Sequence, residues 1–251
     1  SRGTGNALAN TITGGDRNET LTGMGGDDIL IGRAGNDKLD GGTGDDKLDG
    51  GSGDDRLDGG DGNDSIAGGD GSDQLYGGAG DDTLDGGAFA DFIDGGLGAD
   101  TMIGGPISGT GTSGDIFVVD NVGDRIIGTG SVISSIDFAL KAGFQDLTLT
   151  GAALVGTGNN SANVITGNAL ANTLDGLAGN DTALGNDGDD ILLGGAGADR
   201  LEGGEGHVGR QVRDLGAPGR RTGAGLRRRR RRPFAGCPAG APALSRPRTP
   251  S

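Results

Sequence analysis

Acidic side chains recur nine residues apart along much of this chain: Asp28, Asp37, Asp46, Asp55, Asp64, Asp73, Asp82, Asp91 and Asp100, then Asp181, Asp190 and Asp199. Each stands among glycines, whose freedom at positive φ lets a tight turn aim its carbonyls inward. Carboxylate and carbonyl oxygens delivered together are hard donors, suited to holding an oxygen-loving cation rather than to acid–base catalysis. Residues 1–205 contain no His and no Cys, so the ligands that zinc or copper prefers are missing there.

The spacing also dictates the scaffold. From Gly5 to Ile103, eleven consecutive units follow G-G-x-G-x-D-x-U-x without insertion, U being a large apolar residue; Gly41–Asp49 reads GGTGDDKLD and Gly77–Asp85 reads GGAGDDTLD. The eighth position holds Ile12, Leu21, Leu30, Leu39, Leu48, Leu57, Ile66, Leu75, Leu84, Ile93 and Met102. A fixed short period predicts a stacked solenoid in which each unit offers one inward apolar side chain. Glycine makes up 59 of 251 residues and Trp is absent, a composition that by itself would suggest disorder. The register of the leucines overrides that suggestion.

Such a solenoid cannot fold on its apolar residues alone. One buried Leu per unit returns roughly 1.5–3 kcal/mol, whereas ordering nine residues costs on the order of 13 kcal/mol. If two units form one coil, repeats two apart stack about 4.8 Å from each other. Asp28, Asp46, Asp64, Asp82 and Asp100 then line one edge, and Asp37, Asp55, Asp73 and Asp91 the other. Carboxylates that close repel by roughly 1 kcal/mol or more per pair even in water, so a cation must sit between them. Magnesium sheds water reluctantly and suits carbonyl-rich cages poorly; calcium, with six to eight oxygen ligands in flexible geometry, is the ion this pattern requires, several per chain.

The nonapeptide resembles that of the RTX (haemolysin-type calcium-binding) family, over about residues 5–202. Gly114–Asp124 (GDIFVVDNVGD) and Gln145–Gly151 (QDLTLTG) are similar to the spacers found between such arrays. The resemblance implies an all-β fold: a parallel β-roll, or right-handed β-solenoid, with two arrays of GGxGxDxUx repeats joined by a strand-rich spacer. It also implies calcium held between turns two repeats apart, by the Asp of each GGxGxD and by turn carbonyls. Family members are commonly exported unfolded by type I secretion machinery and fold outside the cell, so the chain is expected to be secreted.

The expected organisation is a first array at 5–103, a linker and spacer at 104–157, a shorter array at 158–205, and a tail at 206–251. Asn163 and Asn172 stand where Asp would be, and the string GNALAN opens both arrays, at 5–10 and 167–172, as if by a cap. Met24, Arg33 and Phe89 replace glycines, and Phe89 is expected to weaken the Asp91 site. Asp181 can pair with Asp199, whereas Asp190 faces Val208. Phe89, Phe92, Phe117, Phe138 and Phe144 read as core or cap plugs. The tail, with twelve of the chain's arginines and one acid, reads as disordered or as the product of a reading-frame shift.

Subtracting that tail from the formal charge of -15 leaves 9 bases against 35 acids in residues 1–205, a balance that repels nucleic acid and anionic membranes. No apolar run approaches the roughly 20 residues of a membrane span. Neither HExxH nor GxSxG occurs, and no His in 1–205 can act as a base, so the chain reads as a binding module and not an enzyme. It reads as a fragment. The alternative is the C-terminal part of a secreted enzyme or pore-forming toxin, or of an adhesin, whose effector domain lies upstream. Nothing in the sequence speaks to oligomeric state.

Overall fold

A computed structural model describes residues 1–106, 114–204 and the strand Gln211–Asp214. They belong to a compact unit spanning Ser1–Pro218. Every regular element among the described residues is a β-strand, and every pairing is parallel. The chain winds between two faces, so that alternate strands join the same sheet. One face is a continuous twelve-stranded sheet from Arg2–Thr4 to Arg200–Glu202. The other is divided into a seven-stranded sheet, from Thr11–Thr13 to Arg125–Ile127, and a five-stranded sheet, from Phe138–Ala139 to Gln211–Asp214. This is the stacked solenoid that the period predicts, in the form of the parallel β-roll that the resemblance implies.

Register follows from the period. Leu39 pairs with Leu57 and Leu57 with Leu75 on the first face; Leu30 pairs with Leu48 on the second. Eighteen residues therefore make one coil, and the eighth-position side chains stack in columns between the faces. Leu39, Leu57, Leu75 and Leu84 are completely buried, as are Leu30 and Ile93. A representative strand, Lys38–Thr43, alternates outward Lys38, inward Leu39, half-buried Asp40 and inward Gly41. The inward Gly is what brings the backbone close to the acid of its own unit.

The spacer continues the roll. Asp115–Val119, Gly130–Ser134 and Phe144–Leu149 enter the continuous sheet in succession. Their coils depart from eighteen residues: the step from Asp91 to Asp115 is 24, and that from Val119 to Ser134 is 15. The core changes accordingly from one Leu per unit to aromatic and β-branched packing. Phe117 and Phe144 are buried and meet edge to face at 5.5 Å, acting as the expected plugs. Phe89 is not a plug: at the fourth position of its turn it points outward and is 46 % exposed.

Candidate metal sites

The site begins with the turn. In the unit that starts at Gly59, Gly60 and Gly62 sit at φ of 107° and 137°, conformations that a Cβ makes costly. Met24, Arg33, Phe89, Leu177 and Asn186 are forced into the same left-handed region at 84°, 85°, 84°, 68° and 64°, so the stacking overrides residue preference. Gly59 is needed for another reason. A Cβ there would fall on Asp64 Oδ2 and lie 2.6 Å from the carbonyl oxygen of Gly77, one coil further on. A carboxylate oxygen and a carbonyl oxygen thus share one small concavity.

The same arrangement repeats from Gly23 to Gly77, whereas at Gly86 and Gly95 the nearest atoms are those of Asp91 and Asp100 alone. Asp37, Asp55, Asp73 and Asp91 stack on one edge, and Asp28, Asp46, Asp64, Asp82 and Asp100 on the other, all no more than 3 % exposed. In each, Oδ1 accepts the backbone N–H of the residue one coil earlier: Asp37 N–H donates to Asp55 at 2.6 Å, and Asp46 N–H to Asp64 at 2.8 Å. In the shorter array Asp181 N–H donates to Asp199 at 3.0 Å, and Asn172 N–H to Asp190 at 2.9 Å. The pairing of Asp190 with Val208 lies outside the described residues.

The second oxygen of eleven of these aspartates has no such partner among the described residues. Oδ2 of Asp28, Asp37, Asp46, Asp55, Asp64, Asp73, Asp82, Asp91, Asp100, Asp181 and Asp199 is buried without a hydrogen bond. A buried carboxylate oxygen left unpaired costs several kcal/mol unless a proton or cation meets it. Burial, reinforced by the neighbouring carboxylates, pushes Asp55, Asp64 and Asp91 up to about 7. Asp73 and Asp100 rise to about 6 for the same reasons, and Asp37, Asp46, Asp82 and Asp181 also rise. These oxygens demand positive charge. Among the described residues no three His, Cys, Asp or Glu side chains converge. An ion here would have one or two carboxylates and would need other oxygens to complete its shell, a donor set that suits calcium better than zinc.

A model of the RTX calcium-binding nonapeptide repeat matches the chain in overlapping windows that cover residues 4–106 and 157–207. The chain belongs to this family. Its RTX repeats bind calcium ions at multiple sites, and a repeat-only β-roll of this kind is not a known catalytic domain. No curated protein matches the chain significantly.

The amide-bearing units of the RTX roll are built differently from the aspartate units. Asn172 Oδ1 accepts the Asn168 N–H at 2.8 Å, while its Nδ2 donates to the Ala153 carbonyl at 3.1 Å. Asn163 Nδ2 likewise donates to the Gln145 carbonyl at 3.0 Å, and Asn159 Nδ2 to the Phe144 carbonyl at 2.7 Å. The amide supplies donors where an aspartate would require an ion. Glu19, which stands at the sixth position in place of Asp, is also partnered, by the Gly15 N–H at 3.1 Å and the Ser1 hydroxyl at 3.0 Å.

Two features escape the nonapeptide reading. One is an outer ladder at the fifth position, where Asn36 N–H donates to Asn18 Oδ1 at 3.1 Å and Asp81 N–H to Asn63 Oδ1 at 2.8 Å. The recurrent Asn or Asp before the motif acid was its sequence signal. The other is that both acid rows run into the spacer. Asp91 N–H donates to Asp115 Oδ1 at 3.1 Å and Asp100 N–H to Asp124 Oδ1 at 3.2 Å. Their only signal was the Gly-Asp pairs at 114–115 and 123–124.

Proposed function

We propose that this chain is a calcium-folded module of a secreted protein, in which Asp28, Asp37, Asp46, Asp55, Asp64, Asp73, Asp82, Asp91, Asp100, Asp181, Asp190 and Asp199 are the carboxylate ligands. The observation that carries this reading, for all of them but Asp190, is the row of buried Oδ2 atoms without hydrogen-bond partners among the described residues; Asp190 is included for its place in the repeat. One Leu per nine residues leaves the chain short of the energy needed to order itself. Ion binding and folding are then one event, and the binding free energy becomes folding free energy. The RTX module binds and does not catalyse.

Extracellular calcium modules bind at about 0.1–1 mM. Sites of that strength stay empty in the cytosol and fill outside, which suits a chain that leaves the cell unfolded through a type I exporter. The test is far-UV circular dichroism of the full chain with chelator and then with a few millimolar calcium. A disordered spectrum converting to a β spectrum is expected. A β spectrum already complete in chelator refutes calcium-driven folding.

A further inference from the structure

Asp115 lies outside both stretches matched by the repeat model and outside the nonapeptide period, yet it occupies a ligand's place. It follows Asp91 on its edge after a coil of 24 residues instead of 18. The carboxyl is completely buried. Its Oδ1 accepts the Asp91 N–H, the contact made by every motif aspartate along the row. Among the described residues its Oδ2 has no hydrogen-bond partner, nor has the Oδ2 of Asp91 beside it. A Cβ on Gly104 would fall on Asp115 Oδ2, so Gly104 provides the hollow that the first glycine of a unit provides elsewhere. The Oδ1 contact, the unpartnered Oδ2 and the adjoining glycine repeat the motif sites, whereas the Phe117 ring edge, 2.9 Å from the same Cβ position, stands where units such as that of Gly59 present a carbonyl oxygen.

The other edge ends in a different way. Asp124 follows Asp100 and takes its N–H at 3.2 Å. The second oxygen of Asp124 accepts the N–H groups of Asp120 at 3.1 Å and Asn121 at 3.0 Å. Those donors belong to the turn Asp120–Asp124 itself, so this carboxylate closes its own loop and has no oxygen to spare. Both rows extend by one aspartate, but only one of those aspartates still needs a cation.

We propose that Asp115 is a further calcium ligand, acting with Asp91 at the joint between array and spacer, and that Asp124 is a row-ending cap that binds no ion. The inference rests on the calcium reading of the repeats. At this site an ion ties the first spacer strand, Asp115–Val119, to the last coils of the first array. The joint then tightens with the array rather than independently of it.

The test has two arms. Crystals of the unaltered full chain grown in calcium are measured at a long wavelength, where calcium scatters anomalously. Peaks are expected beside Oδ2 of Asp55 and of Asp115, and none beside Asp124. A peak at Asp55 without one at Asp115 overturns the extension alone, and peaks at neither overturn the calcium assignment of the repeats as well. In solution, equilibrium dialysis counts bound calcium in Asp115→Asn and Asp124→Asn. A loss of one ion is expected for Asp115→Asn and no loss for Asp124→Asn. An undiminished count in Asp115→Asn refutes the proposal, and if that variant does not fold, the crystallographic arm decides.

Discussion

Protons and calcium compete for the same buried oxygens, so removing calcium should make folding of this chain favoured by acid. In the folded chain Asp55, Asp64 and Asp91 titrate at about 7, and Asp73, Asp100 and Asp115 at about 6. Burial is the first cause in all six. Unfolded, the same groups titrate near 3.9. At pH 6 the folded, metal-free roll therefore carries about four protons on these groups that the unfolded chain does not. Because the folded state binds more protons, its stability falls as pH rises. The contribution is complete below about pH 4 and is lost as pH climbs through 6 to 7. Chain freed of calcium on a chelating resin is held in a pH-stat, and its circular dichroism is followed from pH 8 to 5 without calcium. The β signal of the metal-free chain is expected to grow as it is acidified, and calcium added at pH 6 should release protons only in proportion to the chain already folded before the addition, up to about four per folded molecule. A signal unchanged between pH 8 and 5 would show that the aspartates are not buried together as described.

Gly59→Ala places a Cβ on Asp64 Oδ2 and 2.6 Å from the Gly77 carbonyl, filling the hollow between the two oxygens. The calcium midpoint for folding should rise by about tenfold or more, equivalent to at least about 1.4 kcal/mol, whereas Thr43→Ala, at an exposed third position, should leave it unchanged. Asn172→Asp replaces the donor to the Ala153 carbonyl with an oxygen, a change that should cost the calcium-folded chain about 1–3 kcal/mol. Hydrogen exchange in calcium should then show strand Thr173–Asp175 less protected in the variant than in the unaltered chain; equal protection in the two would contradict the donor role of the amide.

Much of the roll was legible in the residues because its period is local. Nine-residue spacing of Leu and Asp sets which side chains point inward; that two units make one coil, and so that the acids stack in two rows, entered as a condition and is decided by the pairing of residues eighteen apart. The spacer was legible only as strands. Coils of 24 and 15 residues break the period, and their register is decided by hydrogen bonds to the strand already in place, as when Phe92 pairs with Ile116. The roles of Asn163 and Asn172 were hidden for a similar reason. An amide can accept, donate or ligate, and only the nearby carbonyls of Gln145 and Ala153 select donation.

The sequence by itself determined the stacked roll, its apolar column, its two acid rows and the ion that such rows require, since each follows from residue type repeated at constant spacing. Only the tertiary structure decided where the rows stop needing cations. That depends on which backbone donors lie within reach of each second carboxylate oxygen: at Asp124 the turn provides two, and at Asp115 the described residues provide none.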